Sequence, residues 1–250
     1  MTAVEFGKEH GEVILLLHGG GLSWWNYREA AQLLQGGYRV VLPVLDGHAG
    51  SERPFTTIED CAAALIEWID REYGGSVALI GGVSLGAQVL LEMLAQRPQL
   101  CRCAVVESAL ARPMPLTRAL TKPMLWASYG LIQKPWFAKL QFRALRLKAG
   151  LYEEYYRDTC RITRQDMAAF LQANAGYRAK PQLGAVQAKV LVAVGAKEPP
   201  QMVRSARLLH RLLPGSVLRV LPGWYHGEFS LNHAPEYART LAELLRQPNE

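Results

Sequence analysis

Apolar residues along the chain gather in short runs, separated by longer stretches where they recur every three or four positions. The runs Val13–Leu17, Tyr38–Leu42, Ser76–Ile80, Cys103–Val106, Val190–Val194 and Val217–Leu221 are too short for helices. Glycine flanks most of them, and they predict buried strands. The stretches between carry helical period. Thr56-x-x-Glu59 has the form of a capping box opening a helix through about Tyr73. Leu85–Gln96 predicts another helix, stopped before Pro98, and Ala206–Leu213 and Glu236–Arg246 predict two more. Strands alternating with helices imply an α/β fold, a mostly parallel sheet covered on both faces.

The alternation breaks once. Between Glu107 and about Gln187 the sequence offers prolines, aromatics and helical patterns but no good buried strand. We expect residues 112–183 to form a helical cap inserted into a core built from residues 1–111 and 184–250. No linker-like segment divides the 250 residues further, and no repeat stands out. Half of the residues are hydrophobic and a fifth are charged, an ordinary globular balance.

The net charge of +6 is unevenly placed. Arg112 to Lys180 holds 13 Lys/Arg against 4 Asp/Glu, leaving 15 basic and 18 acidic residues elsewhere. Basic surface therefore belongs to the insert, which is not a general nucleic-acid signature. The N-terminal MTAVEFGKEHGEV lacks a secretory pattern, and no apolar run approaches the length of a membrane span. Cys61, Cys101, Cys103 and Cys160 lack zinc-site spacing. Reduced thiols in a cytoplasmic protein are the expectation.

One stretch carries distinctive chemistry. Gly82-Val83-Ser84-Leu85-Gly86 sits where the strand ending VALI meets the helix Leu85–Gln96. Glycines two before and two after leave room for a sharp turn that lifts Ser84 above the sheet edge, a G-x-S-x-G nucleophile elbow in strand–turn–helix context. A serine hydroxyl is a weak nucleophile and needs a base, an orienting acid and oxyanion donors. In LPGWYHGEF, His226 follows the last predicted strand and is the candidate base. In VLVAVGAKEPP, Glu198 follows the strand Val190–Val194 and is the preferred acid, with Glu107 in AVVESAL the competitor. The backbone amide of Leu85 is one candidate oxyanion donor. The other comes from His18-Gly19-Gly20-Gly21, where Gly20 is favoured and Gly19 and Gly21 stay open. His18 is expected to tie down this loop. Trp24 and Trp25 are candidate walls of an apolar substrate site.

At these residues the chain resembles the α/β-hydrolase superfamily, in particular its capped serine-hydrolase branch of esterases, lipases and thioesterase-like members. The resemblance spans nearly the whole core through HGGG, GVSLG, GAKE and WYHG. It implies Ser84 as nucleophile, Glu198 as acid, His226 as base and the Gly20 and Leu85 amides as oxyanion donors, with no cofactor or metal required. Two departures stand out. The acid loop of the family usually carries Asp. The segment LPVLDGHAGS also matches the family's D-x-x-G-x-G-x-S loop only in part, so Asp46 and His48 receive no catalytic role. Serine in the elbow argues against dehalogenases and epoxide hydrolases, which use aspartate there. The expected reaction is hydrolysis of a small-molecule carboxylic ester with an apolar acyl or alcohol part. The same residues would serve a thioesterase, a lactonase, a monoacylglycerol or lysophospholipid lipase, a C–C hydrolase or an acyltransferase. A non-catalytic binding homologue is the rival from another class.

The insert adds one more expectation. In WFAKLQFRALRLKAGL, Phe137, Leu140, Ala144, Leu147 and Leu151 recur at helical spacing, with Lys139, Arg143 and Arg146 on another face. Such a basic amphipathic helix is compatible with a cap packed on the core, with contact to anionic lipid, or with a gate for an anionic substrate.

Overall fold

Alternation along the first long strand sends Ile14 and Leu16 into one apolar cluster and Leu15 and Leu17 into another, and all four are fully buried. A strand buried on both sides needs cover on both faces, and the computed structural model, which describes residues 1–247, supplies it. Among these residues the strands are β1 (Ala3–Gly7), β2 (Val13–Leu17), β3 (Arg39–Pro43), β4 (Val77–Val83), β5 (Cys101–Glu107), β6 (Lys189–Gly195) and β7 (Val217–Leu221). They form one sheet in the order β1-β3-β2-β4-β5-β6-β7. All pairs are parallel except β1 with β3, which runs antiparallel from Ala3 opposite Pro43 to Gly7 opposite Arg39.

The helices are α1 (Arg28–Leu34), α2 (Ile58–Tyr73), α3 (Leu85–Gln96), α4 (Pro115–Ile132), α5 (Pro135–Ala144), α6 (Tyr152–Thr159), α7 (Arg164–Gly176), α8 (Pro200–Leu212), α9 (Glu228–Asn232) and α10 (Ala234–Arg246). Buried residues of α2, α3 and α8 share one cluster with Leu15, Leu17 and Val41. Those of α1 and α10 join Ile14, Leu16 and Val40 in the other. The fold is thus α/β with helices on both faces of a mostly parallel sheet. No helix of the described residues is long and apolar enough to cross a membrane.

Several local expectations are corrected. The edge strand β1 has no counterpart in the hydrophobic pattern, because AVEFG mixes exposed and half-buried positions around Glu5. The cap of α2 is Thr57 rather than Thr56. Thr57 Oγ1 accepts the Asp60 amide at 3.0 Å, while Thr56 donates to the Asp60 carboxylate at 2.8 Å. Helix α8 begins at Pro200, six residues before the apolar period becomes clear. The helix expected to run past Leu147 stops at Ala144, and Arg146 takes φ +55° with its guanidinium 3.6 Å from the Tyr225 ring centre. Its packed face is Ala138 and Phe142, which leaves Leu140 exposed beside Lys139.

Helices α4 to α7 occupy the interval between β5 and β6, where no strand was expected. Polar ties fix them to the core. Gln88 on α3 donates to Leu110 O and Asn174 O and accepts from Asn174 Nδ2 at 2.9 Å. Trp25 Nε1 donates to the buried Asp158 on α6 at 2.8 Å, and Arg28 pairs with Glu154 at 2.9 Å.

The turn from β4 into α3 has no room for a side chain at either glycine. A Cβ on Gly86 would lie 2.2 Å from Leu17 O and 2.5 Å from His18 O, and one on Gly82 would lie 2.6 Å from the Gly86 carbonyl. Both collisions are with backbone, so no side-chain rotation relieves them. Gly86→Ala should therefore cost about 3 kcal/mol and lower the melting temperature by roughly 5–10 °C. Gly130→Ala on α4, where a Cβ meets nothing within 4 Å, should leave it unchanged or slightly raised. Paired thermal melts of the two variants check both outcomes.

Candidate active site

Ser84 stands between the last residue of β4 and the first of α3 with φ +54° and ψ −114°, a strained conformation for a residue with a side chain. Its amide donates to Glu107 O at 2.9 Å, and its carbonyl accepts the Gln88 amide at 3.1 Å, so both sides of the turn are pinned. The hydroxyl is held at the C-terminal edge of the sheet, at the start of α3.

The acid and the base come together at the ends of β6 and β7. His226 Nδ1 lies 2.7 Å from Glu198 Oε2; the imidazole is 44% exposed and the carboxylate is buried. The second carboxylate oxygen, Oε1, accepts from the Gly195 amide at 2.8 Å and from Ser108 Oγ at 2.7 Å. With one oxygen held twice, the other has a fixed direction towards the ring. The loops themselves are zipped, since Lys197 N donates to Trp224 O at 2.9 Å. A Cβ on Gly195 would meet the same carbonyl at 2.3 Å. After His226, Gly227 takes φ +70°, and a Cβ there would come within 3.1 Å of Val83 Cγ2, the side chain preceding Ser84. The base loop therefore rests against the elbow.

Glu107 occupies a different place. Its buried carboxylate accepts the Ser230 amide on α9, at 3.3 and 3.2 Å, and has no bond to His226. Of the two acids weighed from the sequence, Glu198 is the one the structure brings to the imidazole.

The glycine loop after β2 is braced by two buried histidines. His18 Nδ1 donates to Gly19 O at 2.9 Å, and its Nε2 accepts the Leu45 amide at 3.0 Å. His48 Nδ1 donates to Asp46 O at 3.0 Å, and its Nε2 accepts the Gly21 amide at 3.1 Å. Each ring thus uses one nitrogen as donor and the other as acceptor, which requires the neutral form. Burial agrees, pushing the His18 pKa well below its ordinary value and that of His48 down to about 4. The Gly21 amide is consequently engaged. Among the described residues, the Gly20 and Leu85 amides have no acceptor, and a Cβ on Gly20 would stand 3.5 Å from Leu85 Cδ2. Asp46 pairs with Arg53 at 3.3 Å, away from these groups.

A cavity of about 320 Å³ begins at Gly20 and Gly21 and runs between Ile132, Leu145, Met167 and Phe170. Its walls are mostly apolar and come from α4, α5, α6 and α7. Trp24 and Trp25 are not brought to it: Trp25 is buried and bound to Asp158, and Arg28 covers Trp24 at 4.9 Å. A larger cleft of about 570 Å³ lies between α2 and α7; neither Ser84 nor His226 lines it, and its Lys180 is paired with Glu59 and Glu92.

The family model described as the alpha/beta hydrolase family matches residues 14–240. The chain belongs to the alpha/beta hydrolase family. This hydrolase is 27% identical over 235 residues to a pimeloyl-[acyl-carrier protein] methyl ester esterase of Neisseria meningitidis serogroup B, covering 90% of this chain and 89% of that one. Among solved structures it is similar to a thermophilic esterase from Thermogutta terrifontis, with TM-score 0.80, 19% identity, and coverage of 100% and 94% of the two chains. It is also similar to an enol-lactonase from Burkholderia xenovorans LB400, with TM-score 0.80, 14% identity, and coverage of 98% and 96%. The two structural likenesses concern the fold.

Ser108 went unread in the sequence, and His48 was read there only as non-catalytic. Ser108 joins the acid to the base loop, donating to Glu198 and accepting the Gly227 amide at 3.1 Å. The only signal was a small hydroxyl residue at the end of β5. His48 had a signal in GHAG, but its use as a brace depends on a loop 27 residues away.

Burial pushes the Glu107 carboxyl up to about 7, opposed by its bonds to Ser230 and reinforced by the nearby Glu198. The folded hydrolase therefore keeps a proton that the unfolded chain releases near pH 4.5. Stability from this group is complete at low pH and declines between about pH 4.5 and 7. Glu107→Gln should abolish that decline and exceed the native protein by about 3 kcal/mol above pH 7. Urea titrations across this range give the comparison, with equal pH slopes counting against it.

Proposed function

We propose that this hydrolase cleaves a carboxylic ester through a covalent acyl-enzyme, using Ser84, His226 and Glu198. The observation that carries the reading is the 2.7 Å pairing of His226 Nδ1 with a carboxylate whose other oxygen is doubly held. Glu198 fixes the imidazole tautomer with Nε2 free to act as base. His226 takes the proton of Ser84 Oγ as the oxygen attacks the ester carbonyl. The tetrahedral oxyanion is received by the amides of Leu85 and Gly20, the first at the positive end of α3. His226 then passes its proton to the leaving alkoxide and takes one from water, whose oxygen attacks the acyl carbon; the same proton returns to Ser84 Oγ as the carbon–oxygen bond breaks and the acid leaves.

The apolar cavity beside Gly20 supports a lipophilic acyl or alcohol part, and the small volume favours a short to medium chain. The similarity to a methyl ester esterase agrees with an ester as substrate. We take residues 112–183 as a cap that walls this cavity and limits water at the reacting carbon. The protein would act in the cytoplasm, consistent with unpaired Cys61, Cys101, Cys103 and Cys160.

Ser84→Ala should abolish p-nitrophenyl ester turnover and fluorophosphonate labelling with no loss of melting temperature; undiminished hydrolysis would reject the mechanism. Glu198→Gln should lower kcat by about 10³–10⁴, whereas Glu107→Gln should stay within a few-fold of native. The opposite ranking in steady-state kinetics would transfer the acid role to Glu107.

A further inference from the structure

Of the large apolar side chains exposed among the described residues, only Leu33, Val217 and Val220 lie outside residues 112–183. Helix α4 buries only Leu125 and Ile132, and leaves Leu116, Leu120 and Met124 exposed at four-residue spacing. On α5, Trp136 and Leu140 are 62% and 59% exposed. Lys139 and Arg143 share their face, at i, i+3, i+4 and i+7 from Trp136. The opposite face is the one that packs, through Ala138 and Phe142.

The charge around this surface has one sign. From Arg112 to Lys148 there are eight Lys/Arg and no Asp/Glu. Among the described residues only Lys148 of these forms an ion pair, with Glu29. Lys122 and Lys139 lie instead over the rings of Trp126 and Tyr152. Exposed apolar side chains on this scale mark a contact surface. Long apolar side chains and tryptophan among unpaired cations match the chemistry of an anionic bilayer, where the rings and chains enter the acyl boundary and the cations meet phosphates.

We propose that α4 and α5 dock this protein onto an anionic phospholipid bilayer, with Trp136 and Leu140 inserted and Lys139 and Arg143 on the headgroups. Exposed apolar side chains and cations recur on both helices, and a bilayer takes both sets, the chains in its acyl boundary and the cations on its phosphates. The same two helices contribute walls to the cavity at Gly20. Ile132 ends α4, Gln141 and Ala144 belong to α5, and Leu145 lines the cavity while remaining 43% exposed. A lipophilic ester leaving the membrane therefore meets the cavity beneath the docking face. The binding surface stands apart from the serine chemistry, so the two can fail separately.

Co-sedimentation of the full-length Ser84→Ala protein with phosphatidylcholine vesicles, with and without phosphatidylglycerol, tests the proposal without turnover. Binding should require phosphatidylglycerol, weaken with added NaCl and shift tryptophan emission to the blue. Lys139→Gln/Arg143→Gln should lower partitioning at least about 10-fold. Trp136→Ala/Leu140→Ser should remove the emission shift and most of the binding. Both pairs, placed in protein that retains Ser84, should keep the native melting temperature and soluble p-nitrophenyl acetate turnover, which shows that a loss of binding is not misfolding. Failure to sediment with phosphatidylglycerol vesicles, or binding unchanged in both variants, would overturn it. So would selective capture of an acidic acyl carrier protein, or lipid-free self-association that buries Trp136, in the absence of vesicle binding.

Discussion

The backbone of α3 presses against the end of β2 so closely that residue 86 has no room for a side chain, and the rest of the site follows from that contact. The carbonyls of Leu17 and His18 fix where the helix can start. Val83 and Leu85 then leave Ser84 a single way to bridge them, with φ +54°. The same contact brings the glycine loop after β2 alongside the first helical amide, so nucleophile and proposed oxyanion donors share one rigid corner. Two neutral histidines, His18 and His48, keep that loop from relaxing. The strain at Ser84 is thus maintained by packing on several sides.

The acid side of the site shows how a longer side chain is accommodated. Glutamate carries one more rotatable bond than aspartate, and an unrestrained Glu198 would lose orientational freedom on pairing with His226. The Gly195 amide and the Ser108 hydroxyl restrain one oxygen before the imidazole meets the other. Ser108 itself has φ +53° and receives the Gly227 amide, which connects the acid and the base loop through a single hydroxyl. The nearby Glu107 has the opposite setting: desolvated and bound only by the Ser230 amide, it favours the protonated form. Two carboxyls near one imidazole thus have different partners, and only Glu198 is paired with the ring.

Much of this was readable in the sequence because the carrying features are local. A glycine pair two residues either side of Ser84 reports a backbone collision, and a hydrophobic run of five reports a strand buried on both faces. The β1 edge left little trace, since Glu5 and its half-exposed neighbours give no alternating apolar signal. Trp25 misled for a related reason. An indole can wall a cavity or fill a core, and what decided was Asp158, 133 residues away, accepting its N–H. The brace formed by His48 and the coupling through Ser108 were hidden in the same manner, as each hydrogen bond joins segments that only tertiary folding makes neighbours. In the insert, helical period identified helices but misjudged which face of α5 is inward, because Phe142 and Ala138 outweigh Leu140 once α6 is in place.

The placement of the insert has its own consequence. The chain leaves the sheet at the end of β5 and returns at the start of β6, two strands hydrogen-bonded side by side. Material threaded through adjacent doorways adds a storey without moving the walls. The roof of such a building can be lengthened, thinned or tilted, and the ground floor, with its serine and its acid, keeps its plan.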